Sequence, residues 1–231
     1  MSEELEKLFA CAPETKTSLA EFARLVIDEN CLLKASMSSR RLTFSHLKTL
    51  YDLDMENVEF SAFRNLWSRK KEATGLLCLQ YACIRDVVVA KASDYFLKIP
   101  YGEELTTEKT YHWVEENYPK RFSIVTATTV AKDLNSSWYQ AGFFKGTRPR
   151  KRIKAKVSVE NVVFALYLAY LNGYRGMLLL DNEYTRLLEQ EPNETLANAE
   201  EAARNGLLVV RHLGDVLDVQ FPLFSSKGGL A

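Results

Sequence analysis

Little in this 231-residue chain belongs to the familiar chemistry of membranes, metals or nucleotides. No window approaches the eighteen or so uninterrupted apolar residues of a membrane-spanning helix. The longest apolar stretch, 161–171, carries three aromatic residues at core-like spacing and reads as a buried helix. The first residues, Met-Ser-Glu-Glu-Leu-Glu-Lys, are charged where a secretory signal needs an apolar segment. The expectation is a cytoplasmic protein with no membrane partner. Cys11, Cys31, Cys78 and Cys83 contain no Cys-x-x-Cys pair, and only His46, His112 and His212 are there to join them. No metal site is therefore expected, and the cysteines read as small apolar fillers in a reducing compartment. Gly-x-Gly-x-x-Gly and Gly-x4-Gly-Lys-Ser/Thr phosphate cradles, the Gly-x-Ser-x-Gly elbow and the His-Glu-x-x-His zinc motif are all missing. Carboxylate pairs such as Asp52 and Asp54 lie in a polar turn, where solvation is the ordinary explanation. A non-enzyme without a cofactor is the consequence, with a carboxylate nuclease site split between distant segments as the open alternative.

The chain also lacks any excess of charge, with 30 basic and 30 acidic side chains. What it has is charge in one place. Between Lys120 and Lys156 stand ten cations and one acid, Asp133, a local net of +9 that the remainder must offset with −9. Seven of the twelve residues from Lys145 to Lys156 are Lys or Arg. A neutral chain that separates charge so sharply presents a positive face, and a positive face attracts polyanions. The rest of the composition, 47% apolar and 26% charged, is that of an ordinary globular protein able to bury a core.

Hydrophobic spacing predicts a mainly α fold: a helical bundle followed by winged helix-turn-helix-like modules that carry small β-hairpins. In residues 1–100, helices are expected over 2–9, 18–28 and 42–51, after a turn-prone segment at 36–41, then from about Asn57, and as one long helix over 76–97. Pro100 and Gly102 mark a boundary. In 101–157, Thr107 caps a helix reaching Tyr118, and Ser123 caps another that Gly142 ends, with Val125, Thr129, Leu134 and Trp138 on its apolar side. Strands at 143–145 and 152–157 then flank the loop Gly146-Thr-Arg-Pro-Arg150 as a wing. In 158–231, a helix starts after Ser158, another opens at Pro192, and Gly214-Asp215 joins two strands. Helices followed by a hairpin thus occur twice, although the two copies share no residues.

The basic wing is the strongest functional signal. Lys145, Arg148, Arg150, Lys151, Arg152, Lys154 and Lys156, with Lys132 from the preceding helix, are the candidate phosphate contacts. The same cations would alternatively keep a sheet edge from pairing, but that takes only one or two lysines. Thr126, Asn135 and Ser136, with Thr128 and Gln140 beside them, are the candidate reading residues, and without bidentate arginines they imply limited sequence reading. The second hairpin balances Arg211 and His212 with Asp215 and Asp218, and its preceding helix is acidic, so packing or protein contact suits it better.

One segment carries a resemblance. Val26-Ile-Asp-Glu-Asn-Cys-Leu-Leu-Lys-Ala-Ser-Met-Ser-Ser-Arg-Arg41 and the leucine- and tyrosine-containing stretch 47–53 resemble the BrxA family of bacterial BREX phage-exclusion systems, over thirty to fifty residues. The matching positions are Glu29, Asn30, Leu33, Lys34, Ser36, Ser39, Arg40 and Arg41. The resemblance implies a small, helical, non-enzymatic DNA-binding accessory protein, encoded beside an ATPase, a methyltransferase and a phosphatase-like component. The expected partner is DNA, double-stranded by preference, with other defence-system proteins as further candidates. A docking scaffold for an acidic protein and a regulator of its own operon are the competing readings.

Overall fold

A computed structural model describes residues 2–13, 17–69 and 71–224, without the Lys71 side chain. The protein is mainly helical with two small antiparallel hairpins, as its spacing predicts. Helix α1 (Ser2–Cys11) buries Leu5, Leu8 and Phe9. Helix α2 (Leu19–Ala23), capped by Ser18, continues as a π-helical turn, Arg24–Asp28. Helix α3 (Met37–Tyr51) begins earlier than expected. The Ser36 hydroxyl accepts the Ser39 N–H while the Ser39 hydroxyl accepts the Ser36 N–H, so the polar segment that looked like a turn is a capped first turn. Helix α4 (Val58–Trp67) is capped by Asn57.

The long helix expected over 76–97 is two helices, α5 (Thr74–Arg85) and α6 (Val87–Leu97). Asp86 is extended between them, and its carboxylate accepts the Val88 and Val89 N–H groups at 2.7 and 3.3 Å. A short acidic side chain that can bond its own backbone competes with helix continuation, and here it caps the next helix instead. Apolar periodicity alone carries no trace of that break.

Helices α7 (Thr107–Asn117) and α8 (Ile124–Gln140) follow, capped by Thr106 and Ser123. Strands β1 (Phe144–Lys145) and β2 (Lys151–Arg152) pair with Phe144 opposite Arg152 and Lys145 opposite Lys151. They are shorter than expected. On its other side β2 meets residues 102–105: the Arg152 N–H donates to the Glu103 carbonyl and the Leu105 N–H to the Arg150 carbonyl, both at 2.8 Å.

Helix α9 (Val159–Leu171) is buried around almost its whole circumference and packs against α4 and α5. Its Asn161 side chain donates to the Ala73 carbonyl at 3.0 Å, while the Gln80 amide donates to the Asn161 carbonyl at the same distance. Two 3-10 turns (Gly176–Leu179 and Arg186–Leu188) lead to α10 (Pro192–Arg204). The chain then forms β3 (Val209–Leu213) and β4 (Val216–Gln220), turning at Gly214-Asp215. One contiguous apolar cluster runs through all three parts of the chain, from Leu5 to Phe221. Its aromatic centre joins the parts: Phe63 lies 4.9 Å from Tyr81, and Tyr81 stacks 6.3 Å from Phe164 of α9.

Helix α8 is seated by two contacts. Trp138 is fully buried, stacked 4.7 Å from Phe96 and packed 4.6 Å from Phe143. At the same end, Gly75 of α5 approaches so closely that a Cβ there would overlap the Gln140 carbonyl oxygen. No helix among the described residues is long and apolar enough to cross a membrane.

Candidate nucleic-acid interface

The hairpin places its cations unequally. Lys145, Arg148 and Lys151 are exposed, as is Lys132 on α8. Arg150 is half-buried, with its guanidinium 4.0 Å from the centre of the Tyr139 ring, which ties the hairpin to the last turn of α8. The Arg148–Pro149 peptide is cis.

Arg152 is a correction to the sequence reading. Its side chain has no solvent exposure. The guanidinium donates to the Phe96 and Phe143 carbonyls at 3.4 Å, to the Ile153 carbonyl, and to Glu189 Oε1 at 2.5 Å. Phe143 and Tyr101 present ring faces at 5.0 and 5.1 Å. The Tyr101 hydroxyl also donates to Glu189 Oε1, at 3.1 Å. This arginine locks the root of the hairpin to the carboxy-terminal part and cannot reach a phosphate. Alternation explains it: in a two-residue strand, neighbours point to opposite faces, so Lys151 faces water and Arg152 the core.

Acids distant in sequence also approach the basic segment. Lys154 is exposed but lies 3.4 Å from Glu194 of α10. The Glu104 backbone bridges to that of Lys151, but no ion pair joins their side chains among the described residues. Lys156 lines a cleft of about 480 Å³ together with Glu3, Glu6 and Glu72. Within the basic segment, the cations that make no ion pair among the described residues and face water are Lys132 on α8, Lys145, Arg148 and Lys151 on the hairpin and Lys156 after it, with Lys120 and Arg121 before α8. Arg121 lies 5.2 Å from both the Tyr118 and Phe122 rings.

The reading helix needs the same revision. Asn135 is buried, and its side-chain oxygen accepts the Thr110 hydroxyl at 2.7 Å, so it fastens α7 to α8. Ser136 is half-buried, and with Asp133 and Ser137 it lines a cleft of about 630 Å³ against α3 and α5. Thr126 is exposed, but its hydroxyl lies 2.9 Å from that of Ser123. Gln140 accepts the Ser2 hydroxyl at 2.6 Å at the far end. The apolar side of α8 is Ala127, Ala131, Leu134 and Trp138, whereas Val125, expected inside, is 76% exposed. Desolvation raises the Asp133 carboxyl above its ordinary range. No group of three or more His, Cys, Asp or Glu suited to a metal ion occurs among the described residues.

The residues that resemble the BrxA pattern build one connection, between the π-helical turn and α3. The Asn30 side chain brackets the loop, accepting the Lys34 N–H at 2.8 Å and donating to the Lys34 carbonyl at 3.1 Å. Lys34 pairs with Glu4 at 3.2 Å, Glu29 pairs with Arg24, and Arg40 donates to the Ile27 carbonyl at 3.2 Å. Ser36 and Ser39 form the capping box, leaving Leu33 and Arg41 pointing to solvent. No protein-family model, curated protein or solved structure matches the chain.

Proposed function

We propose that this protein is a non-enzymatic DNA-binding accessory factor of a bacterial phage-defence system of the BREX kind, holding duplex DNA mainly by phosphate contacts. The observation that carries the reading is the pair of uncompensated, solvent-facing cations Lys145 and Arg148 on the hairpin, joined to the exposed face of α8 by the Arg150–Tyr139 stack. With 3.6 residues per turn, Tyr139, Lys132 and Thr128 fall within about 60° of Val125 around the helix. Hairpin and helix face can therefore meet the same polyanion. The element order also supports it: α6, the segment 102–105, α7, α8 and then a hairpin whose second strand bonds back to that segment follow the order expected of a winged-helix-like module.

Fluorescence anisotropy with a duplex at two salt concentrations tests the proposal. If Lys132, Lys145, Arg148, Arg150 and Lys151 each neutralise a phosphate, log affinity falls against log salt with a slope of about −4 to −5, and K145E/R148E flattens it by about 2. Affinity that ignores salt overturns the proposal. A second reading, a docking scaffold for other defence proteins, rests on the apolar tip of the second hairpin, where Leu213 and Val216 are 85% and 71% exposed. Co-purification that survives nuclease treatment would favour it.

A further inference from the structure

The first two turns of α8 carry an apolar strip that phosphate contacts do not use. Ile124 and Val125 are 73% and 76% exposed, although both are large and β-branched. Thr128 and Thr129 follow one turn later. Their hydroxyls donate to the Ile124 and Val125 carbonyls at 2.8 and 3.0 Å, so their donors are engaged within the helix and what they offer outward is a methyl group and an acceptor. The Ser123 and Thr126 hydroxyls are bonded to each other, Asn135 is buried, and Gln140 is held at the other end. From Ile124 to Tyr139 the exposed half of α8 thus has no amide or guanidinium free to bond a purine edge. It has a row of methyl groups, exposed except at the half-buried Thr128, that follows the exposed Lys120 and Arg121 in the chain and precedes the exposed Lys132.

A surface that joins uncompensated cations to methyl groups fits a polyanion that itself displays methyl groups. In the major groove of duplex DNA the one apolar feature of a base pair is the C5-methyl of thymine. RNA does not offer it, because uracil lacks the methyl and the A-form major groove is too narrow for side chains. We infer that α8 reads thymine methyl groups in the major groove, with Ile124 and Val125 making the contacts. The inference rests on the duplex-binding proposal above and adds to it the feature of the sequence that is read.

The test compares two probes of equal charge and pairing, a short alternating dA·dT duplex and the same duplex with deoxyuridine for every thymidine. Burying one methyl group corresponds to about fourfold in affinity, so two contacted thymines favour the dA·dT probe by about fifteenfold. I124S/V125S changes exposed positions only, and a thermal melt confirms that the fold is kept. In that variant the preference should collapse to about onefold, while affinity for the dA·dU probe and the salt slope stay as in the parent. Equal affinity of the parent for the two probes, or a preference that persists in the variant, overturns the inference and leaves duplex binding standing. Retention of neither probe at low salt overturns duplex binding, and the inference with it.

Discussion

Replacing Arg152 by alanine should damage the fold rather than the surface, and the size of the effect follows from its surroundings. The side chain is fully enclosed, and its partner Glu189 is only 13% exposed. Truncation would strand that carboxylate, keeping the Tyr101 hydroxyl as a donor but losing the cation. It would also leave the Phe96 and Phe143 carbonyls without the bonds the guanidinium supplies. Breaking a buried pair from one side costs about 3–5 kcal/mol, against a total stability of about 5–15 kcal/mol for a typical protein. For a chain of this length that corresponds to a fall in Tm of about 6–20 °C. Circular dichroism melts of R152A, K145E and R148E side by side give the comparison. The two exposed variants should stay within about 2 °C of the parent, since surface changes away from packed features cost at most about 0.5 kcal/mol. R152M/E189Q, which removes the charge from both partners, should recover much of the loss. If R152A melts with the parent and loses DNA affinity as K145E does, Arg152 faces solvent and the reasoning fails. The distinction matters in practice: reversing every cation of the hairpin together would confuse loss of fold with loss of binding.

Two further outcomes follow from packing and burial. Gly75→Ala forces a methyl into the Gln140 carbonyl and should cost about 1–3 kcal/mol by overpacking, read as a lowered urea midpoint; an unchanged midpoint would mean that α5 and α8 do not approach so closely. Burial pushes the Cys78 and Cys83 thiols up to about 12, and burial together with the neighbouring Cys11 does the same to Cys31. Those three remain protonated at pH 8, so alkylation of the folded protein followed by peptide mass spectrometry should label the exposed Cys11 first and the others only after denaturation; labelling of Cys78 at the rate of Cys11 would contradict this.

Much of this protein was legible in its residue order because the signals are local. Ser18, Asn57, Ser123 and Ser158 each cap the helix that begins after them, and Gly214-Asp215 turns a hairpin as its type demands. Helix spacing placed Leu5, Leu8, Phe60, Phe63 and Trp138 in the core. A break at Asp86 was not legible, because the apolar pattern continues through it while the carboxylate captures two N–H groups. The candidate site divided along the same line. That the segment from Lys145 to Lys156 is dense in cations is a property of the chain order itself. Which of them remain available was decided only when folding brought Glu189 to Arg152 and Glu194 to Lys154. Charge adds along a sequence, but it is compensated through space over a few ångströms, and only the tertiary structure sets those distances.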